Sequence, residues 1–217
     1  MKIKRGKPTN WEKYFRYSER NFVVNLVQGQ MFKSYERLLR RTEIDRPISV
    51  LELGAGSGYN SLKIAALYKT KDITIVDSNK RILAVSKRLF KSARFNVKFL
   101  CEDLFKLNLG KQFDIVHSAG LVEHFGGVMK SKVFGVHERF TKPGGHCLIF
   151  APTPSTSYKI FRGLMELAGL WKFTDEVPMT KYQLVREIRR TGLKVVKTDD
   201  CWNYYLTENG ILAKKSL

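Results

Sequence analysis

Short apolar runs alternate along this chain with stretches of helical periodicity. Ile48 to Leu53 is a mostly apolar run that predicts a strand buried in a parallel sheet. Asn60 to Tyr68 resumes at helical spacing. Further strands are predicted at Asp72–Val76, Phe95–Cys101, Phe113–Ser118 and His146–Ala151, with a basic helix over 79–91 between the second and third. Lys142-Pro143-Gly144-Gly145 predicts a tight turn into the fifth strand. Tyr158 to Trp171 is again helical. Thr180 with Gln183 three residues on forms a capping-box pattern for a helix to about Thr191, with Gly192 as terminator. Leu193–Asp200 predicts a strand, and Asn209-Gly210 predicts a hairpin turn into a last strand, 211–214. Ahead of all this, Asn10 to Arg41 is helical and rich in aromatics. Its stripe Val24, Val27, Met31, Tyr35, Leu38 falls at intervals of three and four, as in an amphipathic helix packed on a sheet.

Strand and helix in alternation imply a doubly wound α/β domain, whose ligands sit at the carboxyl ends of the strands. The first such end is Glu52-Leu53-Gly54-Ala55-Gly56-Ser57-Gly58. Gly54 and Gly56 permit a tight turn and leave room for a ligand. The helix that follows points unpaired N–H groups into the same space. No Lys-Ser/Thr pair follows Gly58, so the loop is not a Walker-type phosphate cradle, and its G-x-G-x-G spacing departs from the dinucleotide fingerprint. Glu52 would repel a pyrophosphate but suits an ammonium or sulfonium. Asp77, with Ser78 beside it, ends the second strand about twenty residues on, where an acid binds ribose hydroxyls. Asp103 follows the third strand and is placed to accept from an exocyclic amine.

Together these residues resemble the class I S-adenosylmethionine-dependent methyltransferases. The resemblance is carried by the Glu52–Gly58 loop, Asp77, Asp103, Phe113-Asp114-Ile115-Val116 and Lys142-Pro143-Gly144-Gly145, in family order over roughly residues 46–215. It implies a Rossmann-like seven-stranded sheet of order 3-2-1-4-5-7-6 with the last strand antiparallel. It implies S-adenosyl-L-methionine as cofactor. Glu52, Gly54, Ala55, Gly56 and Gly58 would hold its methionine part, Asp77 and Ser78 the ribose, and Asp103 with Leu104 the adenine. Ser118, ending the fourth strand, would complete the cofactor wall. The segment Gly120-Leu121-Val122-Glu123-His124-Phe125 is most similar to the small-molecule branch that includes quinone-biosynthesis C-methyltransferases.

On this reading residues 1–46 form a helical cap or lid and 47–217 the methyltransferase domain, with 153–179 inserted on the substrate side. His124 is the candidate general base, and Glu123 orients it or caps the next helix. Tyr14, Tyr17 and Tyr158 are candidates to touch the substrate. His117, His137 and His146 are expected to be structural, and no metal site is expected. The formal charge is +19, from 39 Lys and Arg against 20 Asp and Glu. A bias this large fits an anionic acceptor, RNA, a membrane surface touched peripherally, or simply a lysine-rich solvated surface. No apolar run reaches the ~18 residues needed to span a bilayer. Cys101, Cys147 and Cys201 have neither pairing nor metal-ligand spacing, which points to reduced thiols in the cytoplasm. The expected function is methyl transfer to a small or medium-sized acceptor. RNA methylation, a silent cofactor-binding scaffold and aminopropyl transfer are the alternatives, and oligomeric state is left open.

Overall fold

A computed structural model describes the chain except residues 1, 2, 4, 12, 15–21, 43, 45, 92–94, 204 and 205, and except the side chains of 22–30, 202, 203 and 206. Helix α1 (Phe22–Leu39) precedes strand β1 (Ile48–Leu53). Then come α2 (Tyr59–Leu67), β2 (Thr70–Val76), α3 (Lys80–Leu89), β3 (Asn96–Leu100) and β4 (Phe113–Ala119). A single 3₁₀ turn, Val122–His124, leads to α4 (Val128–Phe140) and the long β5 (Thr141–Pro152). The chain closes with α5 (Thr156–Leu167), α6 (Lys181–Arg190), β6 (Lys194–Asn203) and β7 (Leu206–Lys214). The seven strands run in the order β3-β2-β1-β4-β5-β7-β6, parallel except for β7, which pairs antiparallel with both β5 and β6. The predicted topology holds.

β1 is buried at every position, as its apolar run requires. On one face of the sheet α1 lays Met31, Tyr35, Leu38 and Leu39 against Val50, Ile115, Leu148, Phe150 and Leu212. Tyr35 stacks on Phe150 with centroids 4.3 Å apart. The Val24 and Val27 part of the predicted stripe lies outside the described side chains. On the other face α4 and α6 contribute Val133, Phe134, Leu184 and Ile188 to a second core with Ile149, Ile211 and Ala213. The Thr180 capping box is present, and Gly192 sits beyond α6 at φ 92°.

Two turns predicted from glycine and proline are something else. Lys142–Gly145 lies within β5 as a bulge: Phe113 pairs with Thr141 and Ile115 already with His146. The bulge swings the Lys142 ammonium onto the buried Asp114 carboxylate, 2.9 Å away. Ser49 donates to the same oxygen through its N–H and its hydroxyl, at 2.8 and 2.7 Å. Burial alone would push Asp114 up, but Ser49, Lys142 and Arg46 together hold it well below the carboxylate range. Asn209-Gly210 is not a hairpin turn but the middle of β7, with Gly210 opposite Phe150. A Cβ at Gly210 would stand 2.5 Å from the Phe150 ring and 2.9 Å from Leu38. The glycine is there because a stacked aromatic pair crosses the strand, not because the chain reverses.

Candidate active site

The carboxyl ends of β1, β2 and β4 open into one cleft of about 1230 Å³. Its floor is the glycine loop. Gly54, Gly56 and Gly58 all have left-handed φ, at 61°, 55° and 75°. The turn is stitched to β2: Ala55 N–H donates to Val76 O at 3.0 Å, and Gly58 N–H closes back on Ala55 O at 2.9 Å. A Cβ at Gly54 would lie 2.6 Å from Leu121 Cδ1, so this glycine lets the loop after β4 come close. Asp77, ending β2, accepts from the Gly56 N–H at 2.9 Å and, through its other oxygen, from the Asn79 N–H at 2.8 Å. One carboxylate thus joins the glycine loop to the start of α3, and each oxygen keeps a lone pair for a ligand hydroxyl.

Glu52 lies at the bottom of this floor, buried, with Oε2 accepting from the Ser61 N–H at 3.3 Å. Burial pushes its carboxyl up from 4.5 to about 8. His117 backs the same spot: Nε2 is 2.9 Å from Ser61 Oγ and 3.9 Å from Glu52 Oε2, and burial lowers its pKa to about 3. His117 is therefore a neutral strut. Asn60 Oδ1, also on the cleft wall, is buried without a partner among the described residues. A neutral acid and an orphan carbonyl at the end of a glycine loop fit the ammonium end of an amino acid.

Ser78, Asp103 and Leu104 also line the cleft. Asp103 Oδ1 accepts from the Phe105 N–H at 2.9 Å, which fixes its loop. Ser118 does not reach the cleft. It is fully buried, with Oγ 2.8 Å from His137 Nε2 on α4, because the alternation of β4 turns it to the helical layer. His137 is thereby structural, as expected.

The far end of the cleft is built by segments distant in sequence. His124, on the 3₁₀ turn, holds Asp175 Oδ1 through Nδ1 at 2.8 Å. Burial lowers its pKa, outweighing the pull of Asp175, with Arg5 adding to the lowering. Arg5 grips the turn from outside by donating to the carbonyls of Glu123, His124 and Phe125. Trp11 packs edge-on against His124 at 4.8 Å, and Tyr14 leans on Phe173 at 4.7 Å. Tyr158 lines the cleft and donates its hydroxyl to Glu176. Tyr17 lies outside the described residues. Glu123 makes no hydrogen bond to His124: its Oε1 is 3.9 Å from His124 Nε2, and its Oε2 is buried without a partner among the described residues. Glu176 and Glu208 stand on the same wall, and burial pushes each up to about 7. Sequence reading missed both, along with Trp171 and Phe173. The expected anionic acceptor would meet an acidic wall here. The charged side chains at this end are carboxylates, whereas the basic residues on the cleft, Lys80 and Arg81, stand on α3 at the other end.

Comparisons with known proteins agree with this geometry. Residues 50–145 match the family described as a methyltransferase domain. A malonyl-[acyl-carrier protein] O-methyltransferase of Bacillus anthracis is 34% identical over 93 residues, 42% of this chain and 34% of that protein. A ribosomal RNA small subunit methyltransferase G of Streptococcus agalactiae is 36% identical over 83 residues, 33% of this chain and 35% of that protein. The chain thus matches only about a third of the length of these curated relatives. Among solved structures, magnesium protoporphyrin IX methyltransferase from Synechocystis, with bound S-adenosylhomocysteine, superposes with a TM-score of 0.71 at 14% identity, over 90% of this chain and 88% of that one. A 1,6-didemethyltoxoflavin-N1-methyltransferase from Burkholderia thailandensis gives 0.68 at 16% identity, over 87% and 79%. The glycine loop, Glu52 and Asp77 all lie inside residues 50–145, the stretch that matches the methyltransferase-domain family.

Proposed function

We propose that this protein methylates a small-molecule acceptor held between residues 5–14 and the 153–179 segment. The observation that carries the reading is the single carboxylate of Asp77 bound to Gly56 and Asn79, with Glu52 buried behind the same loop. When bound, the cofactor supplies an electrophilic methyl group on a sulfonium. Glu52 and Asn60 would take its amino-acid end, Asp77 and Ser78 the ribose diol, and Asp103 with the Leu104 amide the adenine. The contribution of the chain is to align the two reactants in a dry space, a factor worth up to roughly 7–11 kcal/mol in favourable systems.

His124 is suited to receive a proton. Asp175 is held below the usual carboxylate range: burial would raise it, but the contacts of Thr9 and His124 outweigh burial. An ionised Asp175 requires Nδ1 of His124 to donate, which leaves the Nε2 lone pair for the cleft. Residues 5–14 act as a lid, since Trp11 and Tyr14 line the cleft while Gly6 and Lys7 are tied to Thr174 across it. The buried carboxylates at the acceptor end favour a small molecule over RNA, whose phosphates they would repel. No helix among the described residues is long and apolar enough to cross a membrane. Cys101, Cys147 and Cys201 form no disulfide among the described residues, in keeping with work in a reducing compartment such as the cytoplasm.

The test is titration calorimetry with S-adenosylhomocysteine, then methyl transfer from labelled cofactor into separated small-molecule, protein, lipid and RNA fractions. Binding with label in the small-molecule fraction is expected. Failure to bind, or label confined to RNA, removes the proposal.

A further inference from the structure

Glu123, Glu176 and Glu208 come from the 3₁₀ turn, the segment after α5 and strand β7, and they converge on the acceptor end of the cleft. Three carboxylates so close, shielded from water, are mutually repulsive. Burial and its neighbours, Glu176 first, push Glu123 well above the carboxylate range. Arg162 does not line the cleft and lies 4.0 Å from Glu176 Oε1 behind the wall. Among the described residues two of these carboxylate oxygens have no hydrogen-bond partner, Oε2 of Glu123 and Oε2 of Glu208. Glu123 is 1% exposed, so solvent does not satisfy it. A buried acceptor left unpaired marks a place where a donor belongs.

The rest of the wall is aromatic. Trp11, Tyr14, Trp171 and Phe173 pack edge to face around His124, with Trp171 and Phe173 5.6 Å apart. Aromatic faces attract organic cations and offer nothing to an anion. We propose that the acceptor is an organic amine bound as its ammonium form, hydrogen-bonded to Glu123 and Glu208 inside this aromatic wall. The inference rests on the methyltransferase reading only in calling the amine the acceptor; the binding site itself does not.

A divalent metal is the rival occupant, because Glu123, His124 and Glu176 offer ligand atoms within 4.8 Å of one another. The spacing does not separate the two. Nε2 of His124 and Oε1 of Glu123 are 3.9 Å apart. A tetrahedral metal at about 2.0–2.2 Å holds its ligands about 3.4 Å apart. An ammonium at about 2.8 Å from each oxygen holds them about 4.6 Å apart. One Glu176 oxygen, Oε1, already accepts from the Tyr158 hydroxyl, and the aromatic wall with the orphan oxygens of Glu123 and Glu208 favours the ammonium.

Calorimetry on the full chain without cofactor tests the proposal, using phenethylamine, its neutral analogue phenethyl alcohol, the anion phenylacetate, and Mn²⁺ alone. The amine is expected to bind at least tenfold more tightly than the alcohol or the acid. Glu123→Gln and Glu208→Gln are each expected to cost it tenfold or more while leaving S-adenosylhomocysteine affinity within twofold. Thermal melts of both variants confirm folding, and either one alone suffices. Amine affinity should rise severalfold from pH 6 to 8 as the wall ionises. The groups facing the ammonium are Glu123, Glu176, Glu208, His124, Tyr14 and Tyr158, with Asp175, Arg5 and Arg162 behind them. Equal binding of amine and alcohol, unchanged binding in both variants, or Mn²⁺ displacing the amine overturns the proposal. Amine binding without S-adenosylhomocysteine binding would leave this site standing and remove the methyltransferase reading instead.

Discussion

Replacing Glu52 by Gln should stabilise the free protein at alkaline pH and weaken its hold on the cofactor. Burial raises the Glu52 carboxyl from 4.5 to about 8, so the folded chain keeps a proton there that the unfolded chain loses. The stability that this proton supports is complete below pH 4.5 and drains away as pH rises to about 8. At about 1.4 kcal/mol per pH unit, the loss across that window is roughly 4–5 kcal/mol. Gln carries no such proton, so the variant should escape the loss. Urea unfolding at pH 5, 6.5 and 8 measures the difference, and subtracting one profile from the other cancels the other buried acids. A cofactor ammonium beside Glu52 reverses the balance by favouring the ionised form. Wild type should therefore release a proton on binding S-adenosylhomocysteine at pH 7, visible as buffer-dependent binding enthalpy, and the variant should not. Parallel stability profiles between pH 5 and 8, or equal proton release, would refute the reasoning.

The remaining predictions concern single side chains. Gly54→Ala places a methyl 2.6 Å from Leu121 Cδ1 at φ 61°, so it should cost about 1–3 kcal/mol in urea unfolding and abolish detectable cofactor binding. Asp77→Asn weakens the charge-assisted bonds to Gly56 and Asn79. At about 1.5–3 kcal/mol for such bonds, S-adenosylhomocysteine affinity by calorimetry should fall about 10–100-fold. Gly210→Ala drives a methyl into the Phe150 ring at 2.5 Å. It should destabilise by about 1–3 kcal/mol, and Gly210→Ala with Phe150→Leu should recover part of that loss.

The cofactor half of the molecule was legible because its signals are local. The Glu52–Gly58 loop, Asp77 and Asp103 each follow a strand whose apolar run is unmistakable, and adjacent parallel strands carry their ends to one cleft. Asn209-Gly210 misled for a physical reason. Glycine serves both turns and close approaches, and only the Phe150–Tyr35 stack, contributed by β5 and α1, decides which. Ser118 misled because alternation along β4 had to be read to its last residue to see that its side chain meets His137. The acceptor end was hidden more deeply. Glu123, Glu176 and Glu208 lie far apart along the chain, and only the 5-7 strand pairing and the ties between Arg5, Thr9 and the far loops bring them together. Nothing in the Trp171–Val177 stretch has a period to betray its role.

The central claim is that the bend after β1 holds an adenosyl sulfonium, and a crystal structure of this protein grown with S-adenosylhomocysteine tests it most directly. The account predicts the amino-acid end beside Glu52 and Asn60, both ribose hydroxyls on Asp77, and the adenine against Asp103 and Leu104. A ligand lodged elsewhere, or absent at saturating concentration, would contradict it.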